Sequence, residues 1–254
     1  MKNGSFLLIH SSDQQKGEKM RIDKIFSQLG LLSRSECKAE IKAGHIRVGD
    51  RIVKKADEQA DPDSEAVFYK GRQISWKRFV YYMLNKPAGV VTARTDVLDQ
   101  TVFSFIEDTR KALSPVGRLD KDTTGILIIT NDGELNHKLL SSKYHVPKEY
   151  IVTADGIVSE KDLDILRTGT DIGDDTPTLP ALAQILNIDD GISTVSLTIY
   201  EGRYHQVKRM FNVIGKPVIK LHRRSFGPLT LDERLKPGEA RMLTDEEISI
   251  LSGN

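Results

Sequence analysis

Cysteine is almost absent from this chain of 254 residues. The single Cys37 excludes an internal disulfide framework and a zinc site built on cysteines. Long apolar runs are missing as well. None approaches the roughly 20 residues that cross a bilayer, and Phe6-Leu7-Leu8-Ile9 is too short for the core of a secretory signal. The six histidines (His10, His45, His137, His145, His205 and His222) lack metal-ligand spacing, so no metal is expected. There is no P-loop, dinucleotide fingerprint, Gly-x-Ser-x-Gly elbow, His-Glu-x-x-His pair or internal repeat. What remains is 39% hydrophobic and 29% charged, the composition of a soluble cytoplasmic protein with one large domain or two smaller ones.

A net charge of only +1 hides an uneven distribution. From Met20 to Lys55 nine lysines and arginines stand against four acids, and a second basic zone runs from Arg203 to Arg224. Two basic zones on a near-neutral chain suggest a polyanion contacted at two places.

Met1 to Lys19 is polar and aperiodic, and reads as a disordered extension or a cloning remnant with Met20 as a natural start. Beyond it, Ile22, Ile25, Phe26 and Leu29 fall at helical spacing, closed by Gly30. Ser33 and Glu36 form a capping box that opens a second helix, ended by Gly44. Ile46 to Val53 reads as two short strands around a Gly-Asp turn. Arg34, Lys38 and Lys42 are spaced i, i+4, i+8 and line one face of the second helix, with His45 and Arg47 continuing the row. Such a row suits an RNA backbone, and equally an ordinary solvated helix face. Cys37 falls on the opposite side, as a small core residue. Met20-Arg21-Ile22-Asp23-Lys24-Ile25-Phe26, Ser33-Arg34, Ile41-Lys42-Ala43-Gly44 and Ile46-Arg47-Val48 together resemble an S4 RNA-binding domain, over residues 20–74, with a linker at 75–79.

The second part, residues 80–254, opens on a strand from Val80 that Pro87 ends. Further strands are predicted at Gly125 to Thr130, Tyr150 to Ala154, Ala183 to Ile188 and Ser193 to Tyr200. Helices are predicted at Glu134 to Ser141, Glu160 to Arg167, Gln206 to Ile214 and Asp245 to Leu251. Strands outnumber helices without βαβ alternation, which predicts an α+β fold with a mixed, mostly antiparallel sheet. Within this part, Gly117-Arg118-Leu119-Asp120-Lys121-Asp122-Thr123-Thr124-Gly125 places an aspartate between cations, in a loop that feeds an apolar strand. A rigid strand beside a short loop can present a reactive carboxylate. Taken alone, the same residues favour a turn that caps its own backbone. Asp120 and Asp122 are too close in one loop to serve as a glycosidase pair.

The blocks Leu84-Asn85-Lys86-Pro87, Gly117 to Gly125, Lys148-Glu149-Tyr150, Glu201 to Phe211 and Leu221-His222-Arg223 occur in an order that resembles the RsuA/RluB/RluE/RluF group of pseudouridine synthases, from Met20 to Leu251. The wording Tyr204-His205-Gln206 and Leu221-His222-Arg223 is most similar to the enzymes of small-subunit (16S) rRNA. The resemblance implies isomerisation of a uridine in ribosomal RNA or an assembling subunit, without a cofactor, and monomeric behaviour is expected. It assigns Asp120 as nucleophile, Tyr150 as the ring stacked on the base, and Lys208 as counter-cation, with Arg209 beside it. Arg118 would aid extrusion of the uridine, and Arg203, His205 and Arg209 would join the helix cations in holding RNA. Thr123 and Thr124 would brace the loop, and Asp122 would be a turn residue. A 23S rRNA enzyme of the same group and a non-catalytic assembly factor are the alternatives.

Overall fold

The computed structural model describes residues 18–108, 110 and 112–253, so the expected extension lies almost wholly outside the described residues. The chain divides into two compact units between Arg78 and Phe79.

The first unit runs β1 (Met20–Arg21), α1 (Ile22–Gln28), α2 (Arg34–Lys42), β2 (Ile46–Val48), β3 (Arg51–Ile52), β4 (Gln59–Ala60), β5 (Val67–Tyr69) and β6 (Arg72–Gln73). The capping box forms as the sequence predicts. Ser33 Oγ accepts from Glu36 N–H at 3.2 Å, and Glu36 Oε2 accepts from Ser33 N–H at 2.7 Å. Two amide donors that the helix leaves unpaired are thereby satisfied. Ile22, Ile25 and Phe26 of α1 meet Cys37 and Ile41 of α2 in one core, with Ile46, Val48 and Val67 from the sheet β3-β2-β5-β6. Burial, aided by Asp23, pushes the Cys37 thiol up to about 11, so this cysteine packs as an apolar residue. Residues 74–80 carry no regular structure, although Ile74 and Trp76 pack against the core of this unit.

The second unit runs β7 (Tyr81–Lys86), β8 (Ser114–Pro115), β9 (Thr124–Thr130), α3 (Gly133–Leu140), β10 (Lys148–Asp155), α4 (Glu160–Thr168), β11 (Leu182–Asp189), β12 (Ile192–Ile199), α5 (Gln206–Val213), β13 (Val218–Phe226), β14 (Leu229–Thr230), β15 (Ala240–Met242) and α6 (Asp245–Ser252). The sheet order is β11-β12-β10-β13-β9-β7-β15, with β8 on β9 and β14 on β13. Among the described residues β13 and β9 pair in parallel and the other strand pairs are antiparallel, as an α+β fold requires.

The unbroken apolar run of β9 has a simple cause. Leu127 and Ile129 point into one core with Val152, Leu197 and Phe211, while Ile126 and Ile128 point into a second with Met83, Leu135 and Phe226. A strand buried on both faces has no polar side to alternate with.

The central strand β13 escaped the sequence prediction. His222, Arg223 and Arg224 in its middle look like surface, yet Arg223 is almost fully buried. Its Nε–H donates to the Ile126 carbonyl at 2.9 Å, and its guanidinium lies over the Phe226 ring at 5.2 Å. Opposite it sits Gly125, with φ +105°, where an added Cβ would lie 2.2 Å from the Arg223 carbonyl oxygen. Only glycine allows β9 and β13 to approach this closely.

Candidate active site

The loop from Val116 to Thr123 returns from β8 to β9, so both of its ends are fixed in the sheet. Two groups hold its backbone. Thr92 Oγ1 donates to the Leu119 carbonyl at 2.7 Å and accepts from its N–H at 3.2 Å. Beneath the loop, the fully buried Lys86 donates to the carbonyls of Asp120 (3.0 Å), Lys121 (3.3 Å), Thr123 (2.9 Å) and Pro87 (3.0 Å). Burial lowers the Lys86 ammonium to about 8, opposed by the carboxylates of Asp122 and Asp120. In sequence Lys86 stands within the Leu84-Asn85-Lys86-Pro87 motif and has no assigned role. Its signal was available, since a lysine ending a buried strand must find several acceptors.

Helix α5 supplies the other side of the site. Its N-cap, His205, has the left-handed conformation (φ 48°), and Gln206 closes the turn by accepting from Arg203 N–H at 2.9 Å. Lys208, in the first turn, extends its Nζ to 3.1 Å from Asp120 Oδ2, and His205 Nε2 lies 3.5 Å from Asp120 Oδ1. The ammonium of Lys208 and the imidazole at the head of α5 therefore both approach one carboxylate. The Asp120 side chain keeps 28% of its surface, enough for a substrate atom to reach it.

Asp122 sits in a turn, as expected, and has a further partner. Its Oδ1 is 2.6 Å from Lys208 Nζ, and this hydrogen bond holds its carboxyl below the ordinary range. Burial works against the Lys208 ammonium but is outweighed by the two carboxylates, so its pKa is raised. Lys208 is thus a fixed bridge between two aspartates rather than a private partner of Asp120.

Tyr150 is buried on β10, opposite Leu197 of β12 and Arg223 of β13. It shares a core with Leu119 and Val207, the chain neighbours of Asp120 and Lys208. Thr124 ties the loop to β13, its hydroxyl lying 2.9 Å from His222 Nδ1, and burial keeps that imidazole below its ordinary pKa. Arg118 is exposed.

Arg203 and Arg209, expected to meet RNA, have partners within the chain. Arg209 pairs with Asp174 (2.6 and 3.2 Å) and donates to the Ile172 and Tyr204 carbonyls. Arg203 donates to the Thr176 and Pro177 carbonyls and pairs with Glu201 at 3.0 Å. Asp174 was not singled out in sequence because its partners lie about thirty residues away. In the first unit Arg34, Lys38 and Lys42 are exposed along α2, while Arg47 lies over Phe68 at 4.4 Å and donates to the Gly49 carbonyl at 3.0 Å.

The site offers one carboxylate on a buttressed loop with a fixed cation, and a buried tyrosine lies in the core that Leu119 and Val207 also enter. Among the described residues, no group of three or more His, Cys, Asp or Glu side chains could hold a metal ion. Residues 80–213 match the RNA pseudouridylate synthase family, and residues 20–65 match the S4 domain. The chain accordingly belongs to the pseudouridine synthases, which are isomerases, and to the type in which an S4 domain precedes the synthase domain. It is 44% identical over 235 residues to the uncharacterized RNA pseudouridine synthase YtzG of Bacillus subtilis, covering 92% of this chain and 98% of that protein. It is 37% identical over 233 residues to ribosomal small subunit pseudouridine synthase A of Escherichia coli, covering 91% and 99%. A crystal structure of a pseudouridylate synthase superposes with a TM-score of 0.64 at 37% identity, covering 91% of this chain and 99% of that one.

Proposed function

We propose that this chain converts a specific uridine of 16S small-subunit rRNA to pseudouridine, with Asp120 as the nucleophile and no cofactor. The observation that carries the reading is Asp120, on a loop that Lys86 locks from below, met by Lys208 and His205 from the head of α5. Similarity to small-subunit enzymes over nine-tenths of the chain supports the choice of rRNA.

The chemistry is an isomerisation. The C1′–N1 bond breaks, the base turns, and a C1′–C5 bond forms. C5 loses a proton and N1 gains one, so atoms and electrons balance without an external reagent. Asp120 assists either by covalent attack on ribosyl C1′ or by attack on the ring, and is released when the new bond is complete. Lys208 sets a fixed positive charge against the carboxylate, in a site from which the substrate excludes water. The ring of Tyr150 supports the turning base and helps to move a proton. Arg118 aids extrusion of the uridine, which costs a few kcal/mol of lost stacking. Arg34, Lys38, Lys42 and Arg47 hold rRNA or an assembling subunit through its phosphates, with help from His205. The protein acts in the cytoplasm as a monomer.

Tritium release from uracil-5-labelled 16S and 23S transcripts tests this reading. Release from 16S alone is expected. Release from 23S alone would move the target to the large subunit, and release from neither would leave an RNA-binding assembly factor.

A further inference from the structure

Tyr204 is 77% exposed, and its ring has no place in either core of the second unit. It is nonetheless held in place. The ring stacks on His205 with centroids 3.9 Å apart and planes 17° from parallel. The Tyr204 carbonyl accepts from Arg209 Nε–H at 2.8 Å, and Arg209 is itself anchored on Asp174. His205 is fixed in the left-handed region at the head of α5, with Nε2 3.5 Å from Asp120. A flat aromatic plane is thereby mounted one residue from a group that touches the nucleophile, with most of its surface open to solvent.

Burial gains nothing from such a ring, whereas an RNA base would. Bases splayed from a helix are received on exposed aromatic planes, whatever their sequence, because every base has a flat face to stack. The reacting uracil must reach Asp120, whose side chain keeps 28% of its surface, whereas the Tyr204 ring is 77% exposed and faces solvent rather than a closed pocket. Extruding that uracil, however, removes a stacking partner from the nucleotides on either side.

Resting on the proposed function, we infer that Tyr204, braced by His205, receives the base of a nucleotide flanking the target uridine and so replaces the stacking that extrusion removes. Neither the family match nor the sequence motifs assign Tyr204 a role. As a stacking residue it contributes to holding the extruded conformation and leaves the bond-making step to Asp120.

The test uses the full chain and uracil-5-tritiated 16S transcript, comparing wild type with Tyr204→Ala, Tyr204→Phe and Tyr204→Trp. The expected result for Tyr204→Ala is a KM about tenfold higher, equivalent to about 1.4 kcal/mol, with kcat within about twofold of wild type. Tyr204→Phe and Tyr204→Trp keep a flat ring and should restore the wild-type KM. An unchanged KM in Tyr204→Ala would overturn the inference, and so would an equal loss in Tyr204→Phe, which would implicate the hydroxyl. A wild type that releases no tritium would defeat the proposed function itself, and is distinguishable from either outcome.

Discussion

The cations of the two units are used differently. In the first unit Arg34, Lys38 and Lys42 stand exposed in a row along α2. In the second, Lys208 bridges Asp120 and Asp122, Arg203 and Arg209 hold the segment around Asp174, and Lys86 and Arg223 are buried under the loop and in the sheet. Both stretches are basic in sequence, but one set faces solvent and the other is tied to carboxylates and carbonyls within the fold. A basic stretch is therefore a weak guide to binding until its internal partners are known. Exposed cations act on affinity through counterion release, whereas fixed ones act on a single nearby charge.

That contrast can be broken by substitution. Lys208→Met should lower the single-turnover rate on 16S transcript by about 10²–10³-fold, the usual effect of losing one preorganised group at a reacting charge, while RNA affinity changes by less than about threefold. An equal loss of affinity would place Lys208 with the binding cations.

Lys86→Met should cost about 10²-fold in rate, because a loop displaced by about 1 Å misplaces the carboxylate. Its pH signature is separate. Burial holds Lys86 at about 8 in the folded chain against an ordinary value of 10.5. Between those limits the unfolded chain binds a proton that the folded chain has released, so stability rises with pH across that window. Urea midpoints at pH 8 and pH 10 should show a smaller rise in Lys86→Met than in wild type. Lys148, likewise lowered to about 8 by burial, accounts for a remaining rise.

Replacing Arg34, Lys38 and Lys42 together by alanine should have the mildest effect. The Kd for RNA should rise about tenfold and the slope of log Kd against log salt should fall by roughly two, near the value for three phosphate contacts. The rate at saturating RNA should stay within about twofold of wild type. A large fall in that rate would erase the distinction between the two sets.

Most of the framework was legible in sequence because local signals carried it. The Ser33–Glu36 capping box, the helical spacing around Ile25 and the two-faced apolar run of β9 each depend on residues close in the chain. The Asp120 loop was visible for the same reason, and Lys208 joined it through motif resemblance. The missed features depend on distant partners. Strand β13 looks polar until Arg223 is seen against Ile126 and Phe226, and Lys86 has meaning only when four carbonyls converge on it. Asp122 looked like only a turn residue because nothing near it in the chain announces Lys208, 86 residues away.

The proposed chemistry depends on Asp120, and single-turnover tritium release at saturating 16S transcript tests it most directly, with Asp120→Asn set beside Asp122→Asn. Asp120→Asn should release no tritium above background while binding the transcript like wild type, and Asp122→Asn should keep activity within about tenfold. Release by Asp120→Asn at a rate near wild type would contradict the assignment of the nucleophile.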